Sequence, residues 1–212
     1  MEEALYYTVS VGITGHRNLS LENLPRIKEQ ITFVLQSIHN ETERTADSFR
    51  FKPLLRIVSC LSEGSDRLAA DKALSMGWQL LAILPFPLQS QVHGMDLNEA
   101  ARIQSKKDLT DLCSTAQAVI QLCQNPPKSW QHAVPPFNDP TSDNALAASF
   151  RQQCYKEASD IVIEQSDIIL AIWNGLPQSE SGGTFDTIGS ALKRHIPVIL
   201  IDSMHDSPAR II

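Results

Sequence analysis

Residues 6–17 read YYTVSVGITGHR, in which a β-branched and apolar run ends at a Thr-Gly pair. A run of this kind is typical of a buried strand. Apolar residues then recur at helical spacing from residue 24, where Leu24 is followed by Ile27 and Ile31. The pattern predicts a strand, a polar turn and a helix, which form the first unit of an alternating α/β chain.

The same alternation continues along the chain. Further strands are predicted at 54–60, 79–84, 116–122, 167–173 and 197–202. Helices are predicted between them: one that carries Leu68 and Met76 and ends at Gly77, and others over 96–112, from 143 onward and over 183–195. This order indicates a Rossmann-like, doubly wound α/β fold, with a mostly parallel sheet of about six strands and helices on both faces. No repeat or linker divides the chain, so residues 1–212 are interpreted as a single domain.

Two stretches lack a helical or strand pattern. Residues 40–52 are polar and predict a surface loop. Residues 123–142 contain five prolines and no helical period. A stretch of that length within a domain is usually a functional loop or a disordered one. We interpret it either as a lid over the ligand-binding edge of the sheet or as a disordered segment.

Composition argues against several classes of partner. The chain is 42% hydrophobic and has a formal net charge of −6. Because affinity for nucleic acid comes mostly from Lys and Arg on phosphates, this charge predicts no nucleic-acid partner. The sequence has no apolar run of about 18 residues and begins with an acidic segment unlike a signal peptide. It therefore predicts no membrane partner and a cytoplasmic location.

The cysteines and histidines do not form a metal-binding pattern. The four cysteines are scattered without a C-x-x-C pair, which favours buried thiols over a disulfide or zinc framework. The histidines lack partners at metal-ligand spacing. We expect neither a metal nor a cofactor.

The turns after the strands are the candidate site, because open α/β sheets bind ligands at the carboxyl ends of their strands. The first turn holds Thr14, Gly15, His16 and Arg17. A hydroxyl and a guanidinium suit a phosphate, and glycine lets the backbone approach it. The alternative is a tight strand exit with a solvated arginine. The G-x-G-x-x-G dinucleotide fingerprint is absent.

The second turn follows the strand at 54–60 and opens a helix. It consists of Ser62, Glu63, Gly64, Ser65, Asp66 and Arg67. Free amide groups at a helix start suit an anion. The carboxylates of Glu63 and Asp66 suit ribose hydroxyls or helix capping instead. Arg67 either neutralises a phosphate or pairs with Asp66 or Asp71.

The third turn combines Asn174 with Gly182, Gly183, Thr184 and Asp186. Two glycines and a threonine at a helix start form a nest of amide donors with a hydroxyl beside it. Asp186 lies one turn along that helix and could reach a sugar or base. The alternative is a flexible loop capped by Thr184. Together the three turns predict a phosphate-binding crevice for a nucleotide or a nucleotide-derived small molecule.

These motifs as a set resemble the SLOG superfamily, which joins the SMF/DprA DNA-uptake proteins with the lonely-guy cytokinin-activating enzymes. The likeness rests on GITGHR at 12–17, EGSDRLAA at 63–70 and GGTFD at 182–186. It implies a Rossmann-like fold, nucleotide binding and a homodimer. The chain looks most like the branch of bacterial conflict and antiviral systems, which implies sensing of nucleotide signals and a separate effector protein.

Three functions follow from this reading, of which the third, DNA handling as in the DNA-uptake relatives, is disfavoured by the net charge of −6. The first is binding or sensing of a ligand like NAD or ADP-ribose. The second is hydrolysis of an N-glycosidic bond in a nucleotide, as in the lonely-guy enzymes, with Asp186 and Glu63 as candidate catalytic carboxylates. The sequence departs from the lonely-guy pattern, which ends in a catalytic glutamate, because position 187 is threonine. Asp186 comes one residue early and so points about 100° away around the helix.

Overall fold

The alternating pattern is realised as a sheet between two helical layers. The computed structural model describes residues 5–88, 99–122, 145–177 and 183–212, without the side chains of residues 99 and 145–148. The strands are β1 (Tyr6–Gly15), β2 (Lys52–Ser59), β3 (Gln79–Leu84), β4 (Ala118–Gln121), β5 (Ile168–Trp173), β6 (Val198–Asp202) and β7 (Arg210–Ile211). The helices are α1 (Leu24–Ser48), α2 (Ser65–Ser75), α3 (Glu99–Thr115), α4 (Ala145–Glu164) and α5 (Thr184–Lys193).

The strand order across the sheet is β4-β3-β2-β1-β5-β6-β7. Strands β1 to β6 pair in parallel, and β7 pairs antiparallel with β6. The chain winds outward from β1 to β4 and then returns to the other side of β1 with β5, which places a topological switch point between these two strands. The predicted doubly wound, mostly parallel fold is confirmed. The short antiparallel strand β7 is an addition that the sequence pattern did not indicate.

The two faces of the sheet pack against different helices. Val11 and Ile57 face one core with α1, α2 and α3, whereas Val58 and Ile169 face a second core with α4 and α5. Side chains alternate between the faces because successive residues of a strand point in opposite directions. Both faces are therefore apolar, which explains why the strands appear in the sequence as continuous hydrophobic runs.

Helix α1 is longer than the sequence pattern predicts. The loop predicted at 40–52 is wrong for residues 40–48, which continue the helix. Thr42 and Ala46 are buried there, at 3% and 0% exposure, while Glu41 and Arg44 form an ion pair on the outer face. One small buried residue per turn is enough to hold the helix on the sheet, and so narrow an apolar stripe resembles a polar loop. The proposed lid at 123–142 lies outside the described residues.

The interpretation of all the cysteines as thiols is wrong for Cys154. Burial raises the pKa of the Cys60 and Cys113 thiols. Cys154, in contrast, is disulfide-bonded.

Among the described residues, no helix combines the length and apolar character needed to cross a lipid bilayer.

Candidate functional site

A crevice opens at the switch point, where the carboxyl ends of β1 and β5 separate. Its volume is about 490 Å³, within the usual range for small-ligand sites. The walls come from the turns after β1, β2, β5 and β6, from one side of α4 and from the start of α5. The predicted site residues that line it are Thr14, Gly15, His16, Arg17, Ser62, Asp66, Asn174, Gly183 and Thr184.

His16 joins the two strands that flank the switch point. Its backbone N–H donates to the carbonyl of Ile172 at 3.1 Å, and its Nε2 accepts from the backbone N–H of Asn174, also at 3.1 Å. The Asn174 side chain is turned to its own loop, where Oδ1 accepts from the Leu176 N–H at 3.0 Å. His16 therefore links the two walls of the crevice through both its backbone and its ring.

The turn after β2 packs directly against the turn after β1. The backbone N–H and the hydroxyl of Ser65 both donate to the carbonyl of His16, at 3.1 and 2.9 Å. A Cβ on Gly15 would lie 2.5 Å from the Ser65 side chain, and one on Gly64 would collide with the carbonyl of Arg17. Gly64 also has a φ of +77°, which favours glycine. These glycines therefore allow two turns of the protein to meet, and the Ser65 donors are already engaged.

Arg17 lies at the rim of the crevice. Its side chain is exposed, and the guanidinium carbon lies 4.9 Å from the centre of the Tyr155 ring. This distance is that of a cation–π contact. The contact positions a positive charge beside the opening without burying it.

The start of α5 faces the same space. Gly183 and Thr184 line the crevice, and the first amide groups of a helix have no acceptor within the helix. One turn later, Thr187 also lines it, and its hydroxyl donates to the carbonyl of Gly183 at 3.0 Å. The aligned peptide dipoles make this end of α5 electropositive. Gly182 lies outside the described residues.

Asp66 supplies a carboxyl group to the crevice although it is only 4% exposed. Its Oδ2 accepts from the Ser59 hydroxyl at 3.3 Å and from the Ser62 N–H at 3.4 Å. Burial raises the pKa of Asp66 to about 7, an effect that these hydrogen bonds and the charge of Arg17 only partly oppose. The group is therefore close to half protonated at neutral pH.

Arg67, Glu63 and Gly64 lie away from the crevice, along a second cavity of about 640 Å³ beside α2 and α3. The Arg67 guanidinium is buried, and its Nε and Nη1 donate to the carbonyls of Leu61 and Ser105, both at 3.0 Å. A Glu63 carboxylate oxygen is 3.7 Å from Nη1. Arg67 thus ties α3 to the turn after β2, and burial lowers its pKa.

Asp186 also points elsewhere. It is exposed and lines a groove of about 320 Å³ between α4 and α5, while its neighbour Thr187 faces the crevice. This placement agrees with the 100° step between successive helical residues. The two candidate catalytic carboxylates, Asp186 and Glu63, are therefore not brought together, and neither lies in the crevice.

Several crevice residues were not found from the sequence. Tyr155 and Ser159 come from α4, and Ser203 and Met204 follow β6. Tyr155 and Ser159 each lie one residue beyond a core position of α4, Cys154 and Ala158. The edge of that apolar stripe was the available signal, but nothing local in the sequence shows that α4 crosses the switch point.

Comparison with known proteins identifies the fold. No protein-family model matches the sequence, and no curated protein matches it. The X-ray structure of DNA processing protein A (DprA) from Streptococcus pneumoniae is similar, with a TM-score of 0.52 and 16% identity over 94% of this chain and 52% of that one. DprA from Helicobacter pylori, whose structure is described for its single-stranded DNA binding mode, gives a TM-score of 0.48 and 11% identity over 95% and 68%. The chain thus spans about half the length of the Streptococcus pneumoniae protein.

The match to the Streptococcus pneumoniae structure confirms a DprA-like fold and corrects one prediction. The exclusion of a nucleic-acid partner is wrong, because the fold is shared with a protein that processes DNA. Net charge was the faulty argument: −6 describes the whole chain, whereas binding depends on the local potential at the site. Arg17 and the start of α5 place positive potential at the crevice of this acidic chain. The placement in the conflict-system branch stays a prediction.

Proposed function

We propose that the crevice binds a nucleotide or a nucleotide-derived ligand, of the NAD or ADP-ribose kind, by its phosphate. The observation that carries the proposal is the position of the α5 N-terminus, which opens into the crevice at the switch point together with Thr14 and Arg17. Helix N-termini bind phosphate through their unpaired amides and the helix dipole. The hydroxyls of Thr14 and Thr184 would donate to the remaining phosphate oxygens.

The charge at the rim supports the same ligand class. Arg17 is exposed and can offer a phosphate two parallel hydrogen bonds. The Tyr155 ring beneath its guanidinium holds this charge at the opening and adds an aromatic side chain to the crevice wall. A ligand with a phosphate, a sugar and a base would meet a donor cluster, a polar floor and an aromatic wall.

Isothermal titration calorimetry with AMP, NAD, ADP-ribose and a short single-stranded DNA tests the proposal. The oligonucleotide is included because a structure with this fold belongs to a DNA processing protein. Arg17→Gln is expected to weaken binding about tenfold or more, since a charged hydrogen bond is lost. The matched control is Arg44→Gln, an exposed arginine on α1 that should leave affinity unchanged. Failure of every ligand to bind at millimolar concentration, with the fold intact, would rule the proposal out.

Hydrolysis of the N-glycosidic bond is the second candidate, and Asp66 favours it. A buried carboxyl group with a pKa of about 7 is suited to general acid or base catalysis at neutral pH. Chromatography of AMP and NAD after incubation with the protein tests for turnover. Asp66→Asn should abolish turnover, whereas Asp186→Asn should not change it, because Asp186 lies outside the crevice. Intact substrate after prolonged incubation would leave binding as the function.

A further inference from the structure

Asp66 differs in charge from the rest of the crevice. Among the described residues that line the crevice, it alone is an aspartate or glutamate. A phosphate at the start of α5 is attracted by the helix end and by Arg17, but the ionised form of the Asp66 carboxyl group would repel it. A hydroxyl group of the ligand suits Asp66 better than a phosphate, because it can donate to the carboxylate and can also pair with the protonated form.

The hydrogen bonds of Asp66 within the protein are weak. The two that reach Oδ2 measure 3.3 and 3.4 Å, longer than the 2.5–3.0 Å that is usual for donors to a carboxylate. A buried carboxyl group is stabilised only when strong donors replace the water that it has lost. A ligand that donates a strong hydrogen bond to Asp66 should therefore bind more tightly.

The surroundings of Asp66 suit a sugar better than a base. Its neighbours in the crevice wall, Cys60 and Ser62, are small, and the flat or long side chains that would cover a base, Tyr155 and Met204, come from other elements. We propose that Asp66 accepts a hydrogen bond from the ribose 2′-hydroxyl of the bound nucleotide, so that the crevice selects ribonucleotides over 2′-deoxyribonucleotides. This inference rests on the proposed function and names the sugar that it recognises.

Titration of the wild-type protein with AMP, 2′-deoxy-AMP and IMP tests the inference without any variant. We expect 2′-deoxy-AMP to bind about tenfold to a hundredfold more weakly than AMP, which is the range for a lost hydrogen bond to a charged group. IMP, which lacks the amino group of the adenine base, should bind within about threefold of AMP, because the inference assigns Asp66 to the sugar.

Variants sharpen the result. Asp66→Asn keeps an acceptor oxygen but no negative charge, so it should narrow the difference in affinity between AMP and 2′-deoxy-AMP. Asp66→Leu, which has no acceptor, should remove that difference. Asp71→Asn, further along the same helix and facing the second cavity, is the matched control and should keep the full difference. If the Asp66 variants do not fold by circular dichroism, the wild-type comparison decides alone.

Each result has one meaning. Equal affinity for AMP and 2′-deoxy-AMP would overturn the inference and leave phosphate binding intact. A loss with IMP but not with 2′-deoxy-AMP would overturn it by assigning Asp66 to the base. Binding of none of the three nucleotides would overturn this inference, whereas the proposed function would still be decided by the titrations with NAD, ADP-ribose and single-stranded DNA.

Discussion

The N-termini of α2 and α5 look alike in the sequence and differ in the structure. Each follows a strand and begins with a glycine and a small hydroxyl residue, Gly64-Ser65 in α2 and Gly183-Thr184 in α5. The start of α2 is closed, because the Ser65 donors are held by the carbonyl of His16. The start of α5 opens into the crevice. A glycine-rich helix start thus marks a place where something approaches the main chain closely. That can be another segment of the protein or a ligand.

The backbone angles separate the two cases. Gly64 has a φ of +77°, whereas Gly183 has a φ of −80° and a ψ of 179°, which any residue adopts. Gly64 is therefore required by its own conformation and by the contact with Arg17. Gly183 is not required by its backbone conformation.

The largest effect of a single substitution is expected for Gly64→Ala, at the N-terminus of α2. The new methyl group would collide with the carbonyls of His16 and Arg17, and the positive φ adds strain. We expect the free energy of unfolding to fall by about 3 kcal/mol or more, as measured by urea denaturation. Gly175→Ala is the matched control, since Gly175 has a φ of +79° but nothing within 4 Å of its added Cβ. This control substitution should lower the free energy of unfolding by only about 1 kcal/mol. An equal loss of stability in both variants would contradict the packing argument.

The two arginines near these helix starts provide the next test. Arg67→Gln should lower the free energy of unfolding by roughly 2–4 kcal/mol, because a buried guanidinium and its bonds to Leu61 and Ser105 are lost. Arg17→Gln should change stability by less than about 1 kcal/mol and instead weaken nucleotide binding. Calorimetry and urea denaturation on both variants separate the roles. A binding defect confined to Arg67→Gln would reverse our assignment of the two residues.

The carboxyl group at the closed helix start predicts a pH dependence. The pKa of Asp66 is about 7 in the folded protein against an ordinary value of 3.8, so between these values the folded state holds a proton that the unfolded state has released. The resulting stabilisation is complete below pH 4 and is lost as the pH rises to 7; at about 1.4 kcal/mol for each of about three pH units it amounts to on the order of 4 kcal/mol. Wild type should therefore lose stability relative to Asp66→Asn between pH 5 and 8, measured by urea denaturation. A constant difference across this range would contradict the raised pKa.

The smallest effects are expected for substitutions that remove the hydroxyl of Ser65 or of Thr184. Ser65→Ala removes the donor to His16 and should cost about 1 kcal/mol of stability without a direct effect on the ligand. Thr184→Val keeps the shape of the side chain and should weaken phosphate binding about threefold to tenfold, at unchanged stability. Thermal denaturation and calorimetry on the pair measure both quantities. Identical changes in stability and binding in the two variants would mean that the two helix N-termini are equally accessible to the ligand.

Much of the fold could be read from the chain, with errors where local signals were weak. Strand β3 was predicted at the residues where it is found, 79–84, because its buried run is uninterrupted. The end of α1 was missed because Thr42 and Ala46 supply little apolar pattern, and β7 because it has two residues. The crevice residues at strand ends followed from topology, whereas Tyr155 depended on where α4 crosses the sheet.

The sequence by itself determined the layered α/β architecture and the edge of the sheet where ligands would bind, since both depend on patterns that repeat along the chain. Only the tertiary structure decided which side chains face that edge. Arg67 and Ser65 are buried and bind other parts of the protein, so they have a structural role. Because successive helical residues differ by 100°, Asp186 lies outside the crevice and Thr187 lines it. The physical reason is that access to a site depends on how separate segments pack against each other, and residues distant in sequence set that packing.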